Sequence, residues 1–166
     1  DWTEIGKRLA IATVILLISL IGGRIIPSFT TNWLRRRNAA SLPAAFGLFD
    51  KATLAPSLLA FAGWVVFDLT PATGALLVVA AIAHTIRLFR WRGLATLPEP
   101  LVWILHVAYG WVPAGLALLG LSAWMPDLAT TAIHALTAGA IGTMTLAVMT
   151  RASLGHSKRE LTAGTH

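Results

Sequence analysis

Histidine carries most of the chemistry this chain can offer. There are five, His84, His106, His134, His156 and His166, and no cysteine. Without thiolates, a metal must be held by imidazole, carboxylate, thioether or backbone oxygen. His84 lies past the middle of one apolar run, and His106 lies one or two turns into the next. On helices rising about 1.5 Å per residue, both come to roughly 6–7 Å inward of a bilayer midplane. A short connection makes their helices antiparallel neighbours. Two imidazoles at one depth could ligate a haem iron axially or share a copper ion. They could equally be neutral, buried and hydrogen-bonded to backbone.

The neighbours extend the same two readings. Arg87 follows His84 by a turn and shares its face. Its guanidinium could meet a haem propionate or snorkel to the interface. Arg24, in Gly22-Gly23-Arg24, has the same alternatives. Tyr109 and Gly110 share the face of His106: one could donate to a ligand, the other leaves room beside it. His134 falls about 15 Å of helix rise from the other pair, too far for the same iron without strong tilt. Thr131 and Thr137 could fix its tautomer. It reads as a second metal site completed by other helices, or as a polar helix contact. His156 and His166 read as surface residues. There is no phosphate-binding glycine loop, no Ser/His/Asp set and no pair of carboxylates within an apolar run.

The elements that must position these residues follow from composition. Of 166 residues, 56% are hydrophobic and 12% charged, and the mean hydropathy is +0.72. Soluble domains carry about twice that charge fraction, so a soluble globule, a disordered chain and a disulfide scaffold are excluded. Five segments, about 9–26, 52–69, 71–88, 101–121 and 128–148, are each long enough to span a bilayer as helices. Pro27, Pro71, Pro98, Pro100 and Pro126 stand at the joints. An all-α polytopic transmembrane bundle is expected, forming a single domain over 1–166. Residues 27–51 form a connection in which Leu42, Phe46 and Phe49 allow a short interfacial helix. Trp2, Trp33, Trp91, Trp103 and Trp124 fall near the expected water boundaries.

Charge placement orients the bundle. Arg35, Arg36, Arg37 and Lys51 follow the first segment, Arg90 and Arg92 the third, and Arg151, Lys158 and Arg159 the fifth. The other joints carry Asp68 and Asp127 and no cation. Every second boundary is basic, which places the N-terminus outside and the C-terminus in the cytoplasm. The net charge of +6 is thereby explained without nucleic acid. The chain begins at Asp1, within a few residues of its first apolar run, and reads as part of a longer protein.

The run from His134 to His156, HALTAGAIGTMTLAVMTRASLGH, resembles the closing motif of the NnrS family. Gly22-Gly23-Arg24-Ile-Ile-Pro27-Ser-Phe-Thr30 resembles another motif of that family, as do His84 with Arg87 and Trp91, and His106 with Tyr109, Trp111 and Pro113. The last motif is long and specific; the others are weaker alone. The resemblance implies a bacterial inner-membrane protein of the nitric-oxide and nitrosative-stress response, from a family of about twelve spans containing haem b and copper. This chain would be its C-terminal part, with further ligands in the remainder or in other membrane subunits. Carried over by position, the candidates are Arg24, His84, His106, His134, Arg151 and His156. His84 and His106 are assigned to haem, Arg24 and Arg87 to propionates, and His134 to copper or an outer site. The alternative is a structural or accessory subunit of a respiratory or photosynthetic complex, with no cofactor of its own. A transporter is disfavoured by the lack of an inverted repeat and of an intramembrane acid.

Overall fold

The computed structural model of the protein describes residues 1–156, with side chains through Leu154. Five long helices carry the fold, and no strand occurs among the described residues. They are α1 (Trp2–Arg36), α2 (Leu48–Phe67), α3 (Pro71–Arg90), α4 (Pro100–Leu121) and α5 (Leu128–Leu154). By length and composition α1, α3, α4 and α5 can each cross a membrane. α2 matches α3 in length, at 20 residues. Its first turn takes in the charged Asp50 and Lys51, and its middle holds Pro56 and Ser57.

The starts of α3 and α4 follow local rules. Thr70 accepts a hydrogen bond from the Thr73 N–H, and Pro71 occupies the first turn, where no N–H is needed. Pro100 does the same for α4.

The first helix departs from expectation. Pro27 does not end it; the helix runs on to Arg36. Just upstream, Ile18–Gly22 forms a π-helical turn. Proline lacks an N–H and crowds the carbonyl four residues before it, here that of Gly23. The widened turn and the small Gly22-Gly23 pair absorb both demands, so the chain deviates without stopping. The connection shrinks accordingly to residues 37–47, which contain no helix. Phe49 joins α2, and Phe46 lies over the guanidinium groups of Arg24 and Arg87, 4.8 and 5.7 Å away.

α4 is the central helix, packed against α3, α5 and the middle of α1. Its contact with α3 is backbone on backbone. A Cβ on Gly74 would stand 2.7 Å from the Gly120 carbonyl oxygen, and one on Gly120 would stand 2.8 Å from that of Gly74. Against α5, only hydrogen fits at Gly115 beside Leu136, and Gly139 lies on the Trp111 ring. A second π-helical stretch, Ala135–Gly142, brings that small-residue face onto α4.

The five helices run alternately between two ends. At one, Arg8 of α1 meets Asp68, which closes α2, at 2.9 Å. Partial burial works to raise the Asp68 carboxyl. The Arg8 hydrogen bond and charge, with the Leu69 N–H, outweigh it and hold the group below its usual range. At the other end Arg92 donates to Ser41, the Ala44 N–H donates to the Arg90 carbonyl, and Arg151 lies 4.1 Å over Phe29. The apolar core divides likewise. One cluster holds Ile15, Phe61, Leu77, Val112 and Leu116; the other holds Ile26, Trp91, Leu105, Tyr109 and Met144.

Candidate functional site

A chain of buried polar groups joins α1 to α4. Arg87 of α3 is fully buried and donates from Nε to Asp50 Oδ1 at 2.7 Å. Asp50 is 3% exposed, and its Oδ2 accepts the Gly47 N–H, capping α2. Arg87 Nη1 donates to the Ser19 carbonyl, in the π turn of α1, at 2.7 Å and to the Tyr109 hydroxyl at 3.0 Å. Its Nη2 has no hydrogen-bond partner, although the Trp91 and Phe46 rings flank the guanidinium. Gly23 presses against that nitrogen so closely that no side chain fits there.

Proton counting fixes the next links. Tyr109 OH lies 2.8 Å from His84 Nδ1, and His84 Nε2 lies 2.9 Å from Ser57 Oγ. Ser57 gives its one hydroxyl proton to the Thr53 carbonyl. With that proton so placed, His84 Nε2 carries a proton and donates to Ser57. Its Nδ1 is then an acceptor for Tyr109, whose oxygen in turn accepts from Arg87. In this neutral tautomer His84, Ser57 and the Tyr109 hydroxyl are all satisfied. Both nitrogens of His84 are thus engaged, within a packed interior.

His106 faces a different way. Its Nδ1 donates to the Val102 carbonyl at 3.1 Å, and its Nε2 lies 3.2 Å from Thr30 Oγ1 on α1. The structure does not bring His84 and His106 onto a common centre: one ring turns to α2, the other to α1. With Nδ1 protonated, Nε2 of His106 holds a lone pair. The Thr30 proton can serve that lone pair or the Ile26 carbonyl, 3.0 Å away. Nε2 can therefore change partner without stranding the hydroxyl.

His106 also borders a cavity of about 500 Å³ between the ends of α3 and α4. Leu88, Phe89, Val107 and Trp103 give it apolar walls, with Arg92 at the basic end. Gly93 and Gly110 shape it for different reasons. A Cβ on Gly93 would come 2.7 Å from the His106 ring, whereas one on Gly110 would meet only Leu88, at 3.8 Å.

The remaining candidates stand apart. Arg24 is exposed and stacks on Phe46. His134 is exposed, and its Nδ1 bonds the Thr130 carbonyl at 2.8 Å; neither Thr131 nor Thr137 holds it. It edges a groove with Trp111, Ala138, Gly139 and Thr143. Arg151 Nη1 and Glu99 Oε1 are both buried without a hydrogen-bond partner. His156 closes the last helical stretch, Thr143–His156, but its side chain lies outside the described set, as does all of His166. Among the described residues no three His, Cys, Asp or Glu groups are placed to hold a metal ion.

Sequence reasoning missed Asp50, Ser57, Thr30 and Ser19. Asp50 falls in the expected connection among Arg35, Arg36, Arg37 and Lys51, yet it is the buried partner of Arg87. The readable signal was a lone acid at the edge of one apolar run and a lone base inside another. Trp91, expected at a water boundary, is 1% exposed and stands edge-on to Tyr109 at 4.6 Å.

Comparison with known proteins bears on these same groups. No curated protein and no solved structure matches the chain. A family model described as NnrS protein does, over residues 1–166. That match takes in the Gly-Gly-Arg turn against Arg87, the hydrogen-bonded His84, the cavity-side His106 and the small-residue face of α5, so the chain belongs to the NnrS family.

Proposed function

We propose that the chain is a haem-binding inner-membrane protein of the bacterial nitric-oxide response, with its basic end in the cytoplasm. The observation that carries the haem reading is His106. It combines a carbonyl-anchored Nδ1–H, an exchangeable partner at Nε2 and an apolar cavity of about 500 Å³ beside it. An imidazole held through Nδ1 by a carbonyl is the usual support for a metal-bound ring. The cavity falls within the range of about 300–1,000 Å³ typical of small-molecule sites.

Fit decides which residues serve. His106 would hold the iron, Arg92 would face a propionate, and Gly93 and Gly110 would keep the walls flat. Haem supplies an iron that binds nitric oxide. The chain's own part is to orient His106, surround the site with apolar side chains and exclude water. His84 does not fit as the opposite ligand in this geometry, because both its nitrogens are committed. For copper, His134 offers one exposed imidazole and the described residues place no second ligand beside it. A copper site would draw on residues outside them.

The test is the visible spectrum of protein purified in mild detergent and supplied with haem. A Soret band that shifts with nitric oxide is expected, lost in His106→Ala and retained in His84→Ala. A featureless spectrum with no bound iron would sink the reading. The second reading, an accessory subunit without a cofactor, is favoured by the wholly structural bonding of His84. Loss of folding rather than of spectrum in His84→Ala, with no haem in any sample, would support it.

A further inference from the structure

We propose that Tyr109 and His84 form a redox pair, in which Tyr109 gives an electron to a one-electron oxidant while its phenolic proton passes to His84. Three observations carry this. First, the proton has a defined destination. When Ser57 gives its hydroxyl proton to the Thr53 carbonyl, His84 donates from Nε2 and presents the Nδ1 lone pair to the Tyr109 hydroxyl, 2.8 Å away. Second, the site is sealed. Tyr109 and His84 are both 0% exposed, so a phenolic proton cannot leave to water and needs an acceptor within the fold. Third, an aromatic neighbour leads outward. Trp91 meets the Tyr109 ring edge-on at 4.6 Å and is followed directly by Arg92 and Gly93, which line the cavity beside His106.

The step balances as follows. The Tyr109 O–H bond breaks and an N–H bond forms at His84 Nδ1. The electron leaves for the oxidant. The products are a neutral tyrosyl radical and an imidazolium that still donates Nε2–H to Ser57. The fitting oxidant is a small neutral radical that partitions into lipid, such as nitrogen dioxide, which becomes nitrite on gaining the electron. The charged groups beside the pair are Arg87 and Asp50. Their 2.7 Å ion pair keeps the surroundings near neutral, and Arg87 Nη1 keeps its hydrogen bond to the phenolic oxygen.

Haem is not required for this chemistry, so it can stand or fall separately from the haem reading. Tyr109 is the single tyrosine, against seven tryptophans, so any tyrosyl signal is its own. The experiment generates azide radicals by pulse radiolysis in detergent-solubilised full chain and follows the product by absorption and electron paramagnetic resonance. A tyrosyl radical with an exchangeable proton hydrogen-bonded to its oxygen is expected. In His84→Phe its yield should fall about tenfold, the kinetic equivalent of one lost buried hydrogen bond. Tryptophan radicals alone, or a tyrosyl radical with no exchangeable proton at its oxygen, would overturn the proposal. So would an unchanged yield in His84→Phe. Because Arg87 Nη1 also donates to that oxygen, nitrogen-15 labelling of the histidines of the unaltered chain decides if that variant does not fold: an exchangeable proton coupled to an imidazole nitrogen supports the pair, and exchangeable protons held by arginine alone overturn it.

Discussion

Arg87 and Asp50 set the cost of the interior. Two opposite charges, 0% and 3% exposed, meet at 2.7 Å beneath the basic end of the bundle. Desolvating each charge is expensive, and their attraction with the added hydrogen bonds offsets it. Removing one partner leaves a buried charge with no counter-ion. Asp50→Ala is therefore expected to lower unfolding stability by about 3–5 kcal/mol, and Asp50→Ala with Arg87→Met to recover much of that loss. A double-mutant cycle read by denaturation in detergent measures the coupling; strictly additive losses would show that the pair does not interact. That the helices of His84 and His106 are neighbours was legible in the sequence, because a short connection pairs antiparallel helices. Their facing was not, because spacing along one helix says nothing about its rotation against a neighbour. Tyr109 illustrates the gap: it shares a helix face with His106, yet its hydroxyl reaches His84 on α3.

Among the elements, the legible parts were those that local rules govern. Thr70-Pro71 and Pro100 start helices where expected, since capping and a missing N–H act within a few residues. Pro27 misled, because a helix can absorb a proline if a widened turn stands beside it. The π turn at Ile18–Gly22 has no signature in hydropathy. Close crossings were not legible, because the residues along one helix do not name the partner they meet. The α3–α4 crossing makes a sharp case. Gly120→Ala would set a methyl 2.8 Å from the Gly74 carbonyl oxygen and 3.0 Å from the Val78 amide nitrogen, both backbone atoms that cannot rotate away. A loss of about 1–3 kcal/mol is expected from such overpacking. Gly6→Ala meets nothing within 4 Å and should gain about 0.5–1 kcal/mol, because glycine weakens a helix interior. Thermal unfolding of the two variants side by side checks the contrast. A Gly120→Ala protein as stable as the unaltered chain would mean the helices stand farther apart.

At the level of the whole molecule, charge segregation ties the fold to its membrane. Arg35, Arg36, Arg37, Arg90, Arg92 and Arg151 gather at one end, where Arg92 meets Ser41 and Arg151 overlies Phe29. Asp68 lies at the other, paired with Arg8, and Asp127 opens α5, whose Ala129 and Ile133 line a pocket shared with Trp64 and Asp68. The alternation was readable from the sequence because it depends only on which joints hold cations. The fold adds that α2, with Asp50 and Lys51 in its first turn, runs as long as α3, and that Asp50 is paired inside with Arg87. Positive ends are retained in the cytoplasm, so the two ends should be reachable from opposite sides. A chain without cysteine permits a clean measurement. Ala40→Cys and Asp127→Cys each introduce one exposed thiol, at the basic and the acidic end respectively. With a membrane-impermeant maleimide, intact spheroplasts should label position 127 and spare position 40, and inverted vesicles should give the reverse. Labelling of both positions from one side would mean that α2 turns back instead of crossing, leaving four spans and a different register of ends.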